Sequence, residues 1–357
     1  MKIFFLVPYP LAQSPSQRFR FEQYFEVLKD QGMQCKVQSF LSHDNWRVFY
    51  NKGNNLLKLR CILAGFIKRA VSLFAVLRYD FVFIHREATP IGPPIFEWVI
   101  AKLLRKKMIY DFDDAIWLTD KKRESRMENI IRWRGKVAHI CKWSFKVSAG
   151  NAYLADYAKT FNKNVVVNPT TIDTVNVHKT NSKFQANQRI VIGWTGSHST
   201  LKYLKDIEGI LMHIEQRFLS VDFCVIADKA PDLNLKRLVF KPWSLETEVG
   251  DLTQFDIGVM PLPDDEWAKG KCGFKALQYM AMEIPTVASP VGVNTEIIKN
   301  GINGLLARNP AEWEKSLSVL IDDENLRKRL GKEGRLTVEQ HYSVNSNKKN
   351  FRGLFDV

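Results

Sequence analysis

Short runs rich in Val, Ile and Phe alternate with segments of helical apolar spacing along almost all of this 357-residue chain. A strand, a helix and a further strand in succession build a parallel sheet, because only a long crossover returns the chain to start a second strand in the same direction. The candidate strands of the first half are Lys2–Val7, Gln34–Phe40, Asp80–His85, Lys107–Asp111, Phe145–Ala149 and Val165–Val167. Those of the second half are Arg189–Thr195, Val221–Ala227, Val239–Lys241, Phe255–Pro261 and Thr286–Ser289. The pattern breaks at Pro169–Asp173 and a polar stretch, Asn176–Gln188, follows. We therefore expect α/β domains over 1–170 and 189–342, joined by a linker over 171–188.

At 45% apolar and 12% aromatic residues, the chain can fill two ordinary cores. Lys2–Val7 runs straight into Pro8-Tyr9-Pro10 and reads as a first strand, not a signal peptide. Five scattered cysteines without paired spacing fit a reducing compartment and neither a disulfide frame nor a zinc site. The expected location is cytoplasmic. The net charge of +14 is confined to one half: residues 1–170 hold 28 Lys and Arg against 14 Asp and Glu, and the remainder holds 24 of each. Such asymmetry calls for an anionic partner of the first half.

Residues 45–79 carry seven basic residues and no acidic one, and Leu56–Leu77 is apolar but broken by four charges. Charges near the middle exclude a membrane span. Two readings stand: a basic amphipathic helix at a membrane interface, or a core helix whose long basic side chains reach solvent. Lys102, Arg105, Lys106 and Lys107, then Lys121, Lys122 and Arg123, extend the basic character.

Lys269–Glu296 joins a glycine turn, Lys269-Gly270-Lys271-Cys272-Gly273, to a helix from about Phe274 to Met282, then to an apolar strand and the loop Pro290-Val291-Gly292-Val293. The first N–H groups of a helix have no partner inside it and its dipole favours negative charge there; Lys271 and Lys275 add two full charges. A similar unit precedes the expected helix Leu201–Leu211, where Gly196, Ser197, Ser199 and Thr200 offer backbone and hydroxyl donors suited to a diphosphate. A helix packed on a sheet and a capped turn are the simpler readings. His198 and His139 lack metal-ligand spacing and read as structural.

Gly273, Gln278-Tyr279-Met280-Ala281, Pro285-Thr286-Val287-Ala288-Ser289, Gly292 and Glu296 together resemble the donor-binding segment of the family-4 retaining glycosyltransferases. The resemblance implies the α/β GT-B fold, two facing Rossmann-like domains with parallel sheets, with the tail from about 343 to 357 crossing back onto the first. It implies a hexosyltransferase-type enzyme taking a nucleotide diphosphate-sugar donor and a lipid-linked or cell-surface polysaccharide acceptor, with retention and with neither cofactor nor metal. Donor-binding residues by resemblance are Gly196, Ser197, Ser199, Thr200, Lys271, Cys272, Gly273, Phe274, Lys275 and Gln278. The family's two acidic positions are occupied here by Gly270 and Gln278. The Gln278 amide oxygen retains an acceptor for a ribose hydroxyl, and Asp264, Asp265 or Glu266 is available as a substitute for the first. The family's usual Arg and Lys of the phosphate loop are not evident, and Lys271 or Lys275 would take their place.

In the first half, Asp111, Asp113 and Asp114 crowd together after a strand and call for a cation or shifted pKa values. A branch of the family resembles this string, so these three are the candidate catalytic residues, with helix capping by Asp113 or Asp114 as the simpler reading. Arg18 and Arg20, beside a capping box expected at Ser14 and Gln17, are candidate acceptor contacts. So are Arg86 and Glu87, which could instead pair with each other. Asn151 reads as a helix cap.

Two other classes remain open. In a single-domain GT-A transferase, Asp111 and Asp113 would bind manganese. A non-enzymatic protein would bind membrane or nucleic acid, although no recognition helix or aromatic platform points to the latter. The expected partners are thus a nucleotide-sugar, a lipid-linked or glycan acceptor and an anionic membrane surface met by the first domain, at the inner face of the membrane, and no nucleic acid.

Overall fold

The computed structural model describes residues 1–50, 53–119, 125–180 and 189–356. Lys121, Lys122, Arg123 and residues 181–188 of the expected linker lie outside them. The chain divides into two compact units, Met1–Thr170 with Asn347–Val357, and Thr171–Ser346.

The first unit holds six parallel strands: β1 (Lys2–Val7), β2 (Gln34–Ser39), β3 (Phe81–His85), β4 (Lys107–Phe112), β5 (Lys146–Ala149) and β6 (Val165–Val167). Their order is β2-β1-β3-β4-β5-β6. The chain leaves β1 for one side and resumes on the other at β3, so the loops after β1 and β3 diverge at a topological switch point, where α/β sheets hold ligands. Buried aromatics fill the core, with Phe5 against both Phe21 and Phe83. The tail completes it: Phe351 stacks on Tyr24 at 4.2 Å between ring centres, and Lys146 donates to the Gly353 and Asp356 carbonyls.

Four helices of this unit matter below: α1 (Pro15–Arg18), α2 (Asn55–Val76), α3 (Ile95–Trp98) and α4 (Arg126–Arg132). The expected capping box does not form. Ser14 Oγ bonds to Ser16 Oγ, and the Gln17 amide accepts from the Tyr9 N–H at 2.9 Å while donating to the Tyr9 carbonyl and Glu22. Gln17 thus fastens the loop after β1, and α1 ends after a single turn.

The second unit holds β7 (Ile190–Gly196), β8 (Val221–Ala227), β9 (Leu238–Pro242), β10 (Ile257–Met260), β11 (Thr286–Ala288) and β12 (Leu305–Leu306), all parallel. The order β12-β11-β10-β7-β8-β9 is the doubly wound dinucleotide-fold order, with its switch point between β7 and β10. Helix α5 (Phe274–Ala281) connects β10 to β11. The expected helix Leu201–Leu211 is instead two, Leu201–Lys205 and Glu208–Arg217. Residues 171–180 belong to this unit and are not a free linker: Ile172 bridges to Ser343, and Arg335 donates to the Thr174 and His178 carbonyls.

Candidate functional site

The carboxyl edge of the second sheet gathers most of the expected donor residues. Gly273 sits at φ +68°, and a Cβ there would fall 2.3 Å from Ile297 Cδ1, so only glycine turns the chain into α5 in this way. A Cβ on Gly196 would meet Lys275 Cε at 2.8 Å; the loop after β7 and the first turn of α5 therefore touch. The contact is fixed by Tyr279, whose buried hydroxyl accepts the Thr195 N–H at 2.9 Å. Burial holds that phenol well above its ordinary pKa, so it stays neutral. Lys275 lies over the Trp194 indole and Lys271 over Trp267, at 5.4 and 4.8 Å from the ring centres.

In the loop after β7, Ser197 and Ser199 share a 2.9 Å hydrogen bond and the Thr200 hydroxyl donates to the Ser197 carbonyl. Asp228, beyond β8, accepts from both the His198 N–H and Nδ1 and so holds the loop; no sequence motif marks it. One turn into α5, Gln278 is 2% exposed and its Nε2 has no hydrogen-bond partner within the protein. Cys272 is buried, with its thiol 3.9 Å from the Gly270 carbonyl, and contributes packing. Of the carboxylates offered in place of the first family Glu, Asp265 caps a short helix through the Ala268 N–H and Glu266 pairs with Lys269. Asp264 lies 4.0 Å from the same lysine.

In the first unit the strand ends converge on Asp111. Register sets His85 beside Asp111 and Asp111 beside Ser148. Asp111 is fully buried: Arg20 donates to both its oxygens, Ser148 to Oδ1, and His85 Nδ1 to Oδ2 at 2.8 Å. Burial pushes its pKa up, but the Arg20 charge and the bonds from His85 and Arg20 outweigh it and hold the carboxyl well below the usual range. Arg20, 1% exposed, also bonds to the Asn168 carbonyl. Asp111, expected as a catalytic group, and Arg20, expected as an acceptor contact, are thus both buried, and each neutralises the other inside the sheet. His85, which the sequence reading passed over, completes the network and reaches Ser16 through Nε2 at 3.3 Å.

Asp113 and Asp114 remain partly exposed and share one cation, Arg86, at 2.8 and 2.5 Å. Desolvation opposes the charge on Arg86, yet the two carboxylates raise its pKa well above normal. No helix begins within the described residues Ala115–Thr119 for these carboxylates to cap. Arg86 adopts φ +59°, a left-handed conformation that costs a non-glycine residue about 1–3 kcal/mol and is characteristic of functional sites. Its carbonyl takes the Tyr110 hydroxyl and its N–H meets the Asp111 carbonyl. Glu87 pairs with Lys136 at 2.6 Å, not with Arg86. Arg18 ends α1 with its guanidinium over the Phe19 ring. Asp111 and Asp113 answer to different cations, so they do not form the paired ligand set of the manganese reading. Asn151 caps its helix through the Leu154 N–H, as expected.

This architecture defines a class. Over both units the fold is that of the GT-B glycosyltransferases: sucrose-phosphate synthase from Thermosynechococcus elongatus is similar over 99% of this chain and 98% of its own, with a TM-score of 0.71 at 12% identity. HepE of Anabaena, solved with UDP-glucose, gives a TM-score of 0.66 at 14% identity over 99% and 98% of the two chains. Residues 190–323, within the second unit, match the family model described as glycosyl transferases group 1. A protein described as an uncharacterized glycosyltransferase of Methanocaldococcus jannaschii is 42% identical over 65 residues, a match spanning 18% of this chain and 18% of the relative.

Proposed function

We propose that the chain is a glycosyltransferase that takes a sugar from a nucleotide diphosphate-sugar and passes it, with retention, to a hydroxyl of a lipid-linked or glycan acceptor at an anionic membrane surface. The observation that carries this reading is the junction of the Gly196 loop with the first turn of α5. Two donor-rich turns and the Lys275 ammonium meet there at the carboxyl edge of a dinucleotide-type sheet. The diphosphate lies on the α5 N-terminus and the Gly196–Thr200 loop, with Lys271 and Lys275 opposing its charge and Gln278 meeting the ribose. HepE, solved with UDP and with UDP-glucose, supports a nucleotide-sugar as donor.

In the transfer, the bond from the anomeric carbon to the diphosphate breaks and the acceptor oxygen forms the new bond. The charge that develops on the leaving diphosphate meets fixed N–H dipoles and the two lysines, preorganised stabilisation that needs no metal. The proton of the acceptor hydroxyl passes to an oxygen of the departing diphosphate, which lies on the same face of the sugar that the acceptor must approach for retention. The test is release of nucleoside diphosphate from UDP-, GDP-, dTDP- and ADP-sugars in EDTA with octyl glycosides as acceptors. One donor should be consumed, with proton NMR showing a retained anomer, and Lys275→Ala should lose the activity. No release from any donor, or release unaffected by Lys275→Ala, overturns the reading.

A further inference from the structure

Helix α2 is built the wrong way round for a core helix. Its inward face consists of Cys61, Gly65, Arg69, Ser72 and Val76. Gly65 is needed there, since a Cβ would lie 2.5 Å from the Phe40 ring. Arg69, fully buried, donates to the Val7, Gln38 and Ala88 carbonyls. The large apolar side chains point outward. Leu59, Leu63, Ile67, Val71 and Phe74, spaced three or four residues apart, are each more than half exposed, Ile67 at 67% and Phe74 at 78%. Spacing of this kind puts them in one stripe along the helix.

The stripe has apolar neighbours. Phe66 of α2 meets Phe96 of α3 at 6.2 Å between ring centres, and the Gly92 N–H ahead of α3 bonds to the Ile131 carbonyl of α4. Ile95 and Trp98 of α3, and Met127, Ile130 and Ile131 of α4, are likewise exposed. Lys58, Arg60, Lys102, Arg105 and Arg132 flank these residues, and no acidic residue occurs between Asp44 and Asp80. Exposed apolar side chains on neighbouring helices, with five basic residues beside them against the single acidic Glu128 of α4 and the buried Glu97 of α3, have the chemistry of the headgroup boundary of an anionic bilayer: apolar side chains enter the acyl layer and basic ones meet phosphates. No described helix is long and apolar enough to cross a membrane, so the contact is interfacial.

We infer that the outward face of α2, extended by α3 and α4, is a docking surface that inserts into the outer layer of an anionic lipid membrane. The inference deepens the proposed function, placing the acceptor of the first unit at a lipid surface, and it rests on that reading for its purpose but not for its test. The test is co-sedimentation of the full chain with phosphatidylcholine vesicles, with and without phosphatidylglycerol. Wild type should bind the anionic vesicles and Ile67→Glu/Phe74→Glu should bind them about tenfold or more weakly, because two inserted side chains are lost. Lys58→Glu/Arg60→Glu should remove the preference for phosphatidylglycerol. Both variants change exposed side chains and should melt, and bind nucleotide, as wild type does. Equal binding by wild type and the Ile67→Glu/Phe74→Glu variant overturns the inference. So does a stable dimer, seen by light scattering, that the same variant dissociates, since a second copy would then cover the face.

Discussion

Replacing Asp111 by Asn separates a structural carboxylate from a catalytic one. Asp111 is fully buried and accepts from Arg20, His85 and Ser148. In the variant, the amide oxygen can still take one bond from Arg20, but the NH2 group faces donors in either orientation, His85 and one Arg20 nitrogen at the Oδ2 position or Ser148 and another Arg20 nitrogen at the Oδ1 position, and the buried guanidinium loses its counter-charge. Removing one member of a buried ion pair costs about 3–5 kcal/mol. For a unit of this size that is a fall of roughly 6–20 °C in melting temperature. Scanning calorimetry should show the loss in the transition of the first unit, while nucleotide binding by the second survives. Because the carboxyl pKa is depressed on folding, its contribution is complete above the unfolded value near ~3.9 and declines as pH falls through the folded one. The gap between wild type and variant should thus be constant from neutral pH to about 5 and narrow below about 4. The double variant Arg20→Met/Asp111→Leu should lose less than Asp111→Asn, both charges being gone. A variant that melts with wild type but cannot transfer sugar would refute this reasoning and restore Asp111 as a group that meets substrate.

Two further variants test the second unit. Gly273→Ala puts a Cβ against Ile297 at a positive φ and should cost about 2–4 kcal/mol in thermal unfolding, with nucleotide affinity falling as the α5 N-terminus shifts. Tyr279→Phe strands the Thr195 N–H in a buried setting and should cost about 1–3 kcal/mol by chemical denaturation, while Tyr279→Leu should cost more through the cavity above Gly258.

Apolar runs alternating with helical spacing were enough to give eleven of the twelve strands of the described residues and the α/β class of the fold, most plainly where a strand such as β3 is buried on both faces and reads as a continuous apolar run. Strand β12, with only Leu305 and Leu306, has no period to detect. The turn and helix of Lys269–Glu296, expected to bind the donor, were legible as elements because a glycine turn and a helix start occupy adjacent positions in sequence. The network around Asp111 was not, since Arg20, His85, Ser148 and Asn168 come from distant segments, strand register bringing His85 and Ser148 to Asp111 and loops bringing the other two. Aligning the last residues of β3, β4 and β5 would have revealed His85. The reading of α2 as a helix with long basic side chains reaching solvent failed at Arg69, which is buried on backbone carbonyls while its apolar neighbours face outward. The failed capping box at Ser14 has the same origin: the loop after β1 offered Gln17 better partners than the helix end did.

The most direct measurement is isothermal titration of UDP, GDP, dTDP, ADP and CMP into the full chain in EDTA, for wild type and Lys275→Ala. A charge-assisted contact to a diphosphate contributes about 1.5–3 kcal/mol. The account predicts that one nucleoside diphosphate binds without metal and that Lys275→Ala weakens it about ten- to a hundredfold. Binding that requires manganese and ignores Lys275, or no binding by any of the five, would contradict a donor site at the start of α5.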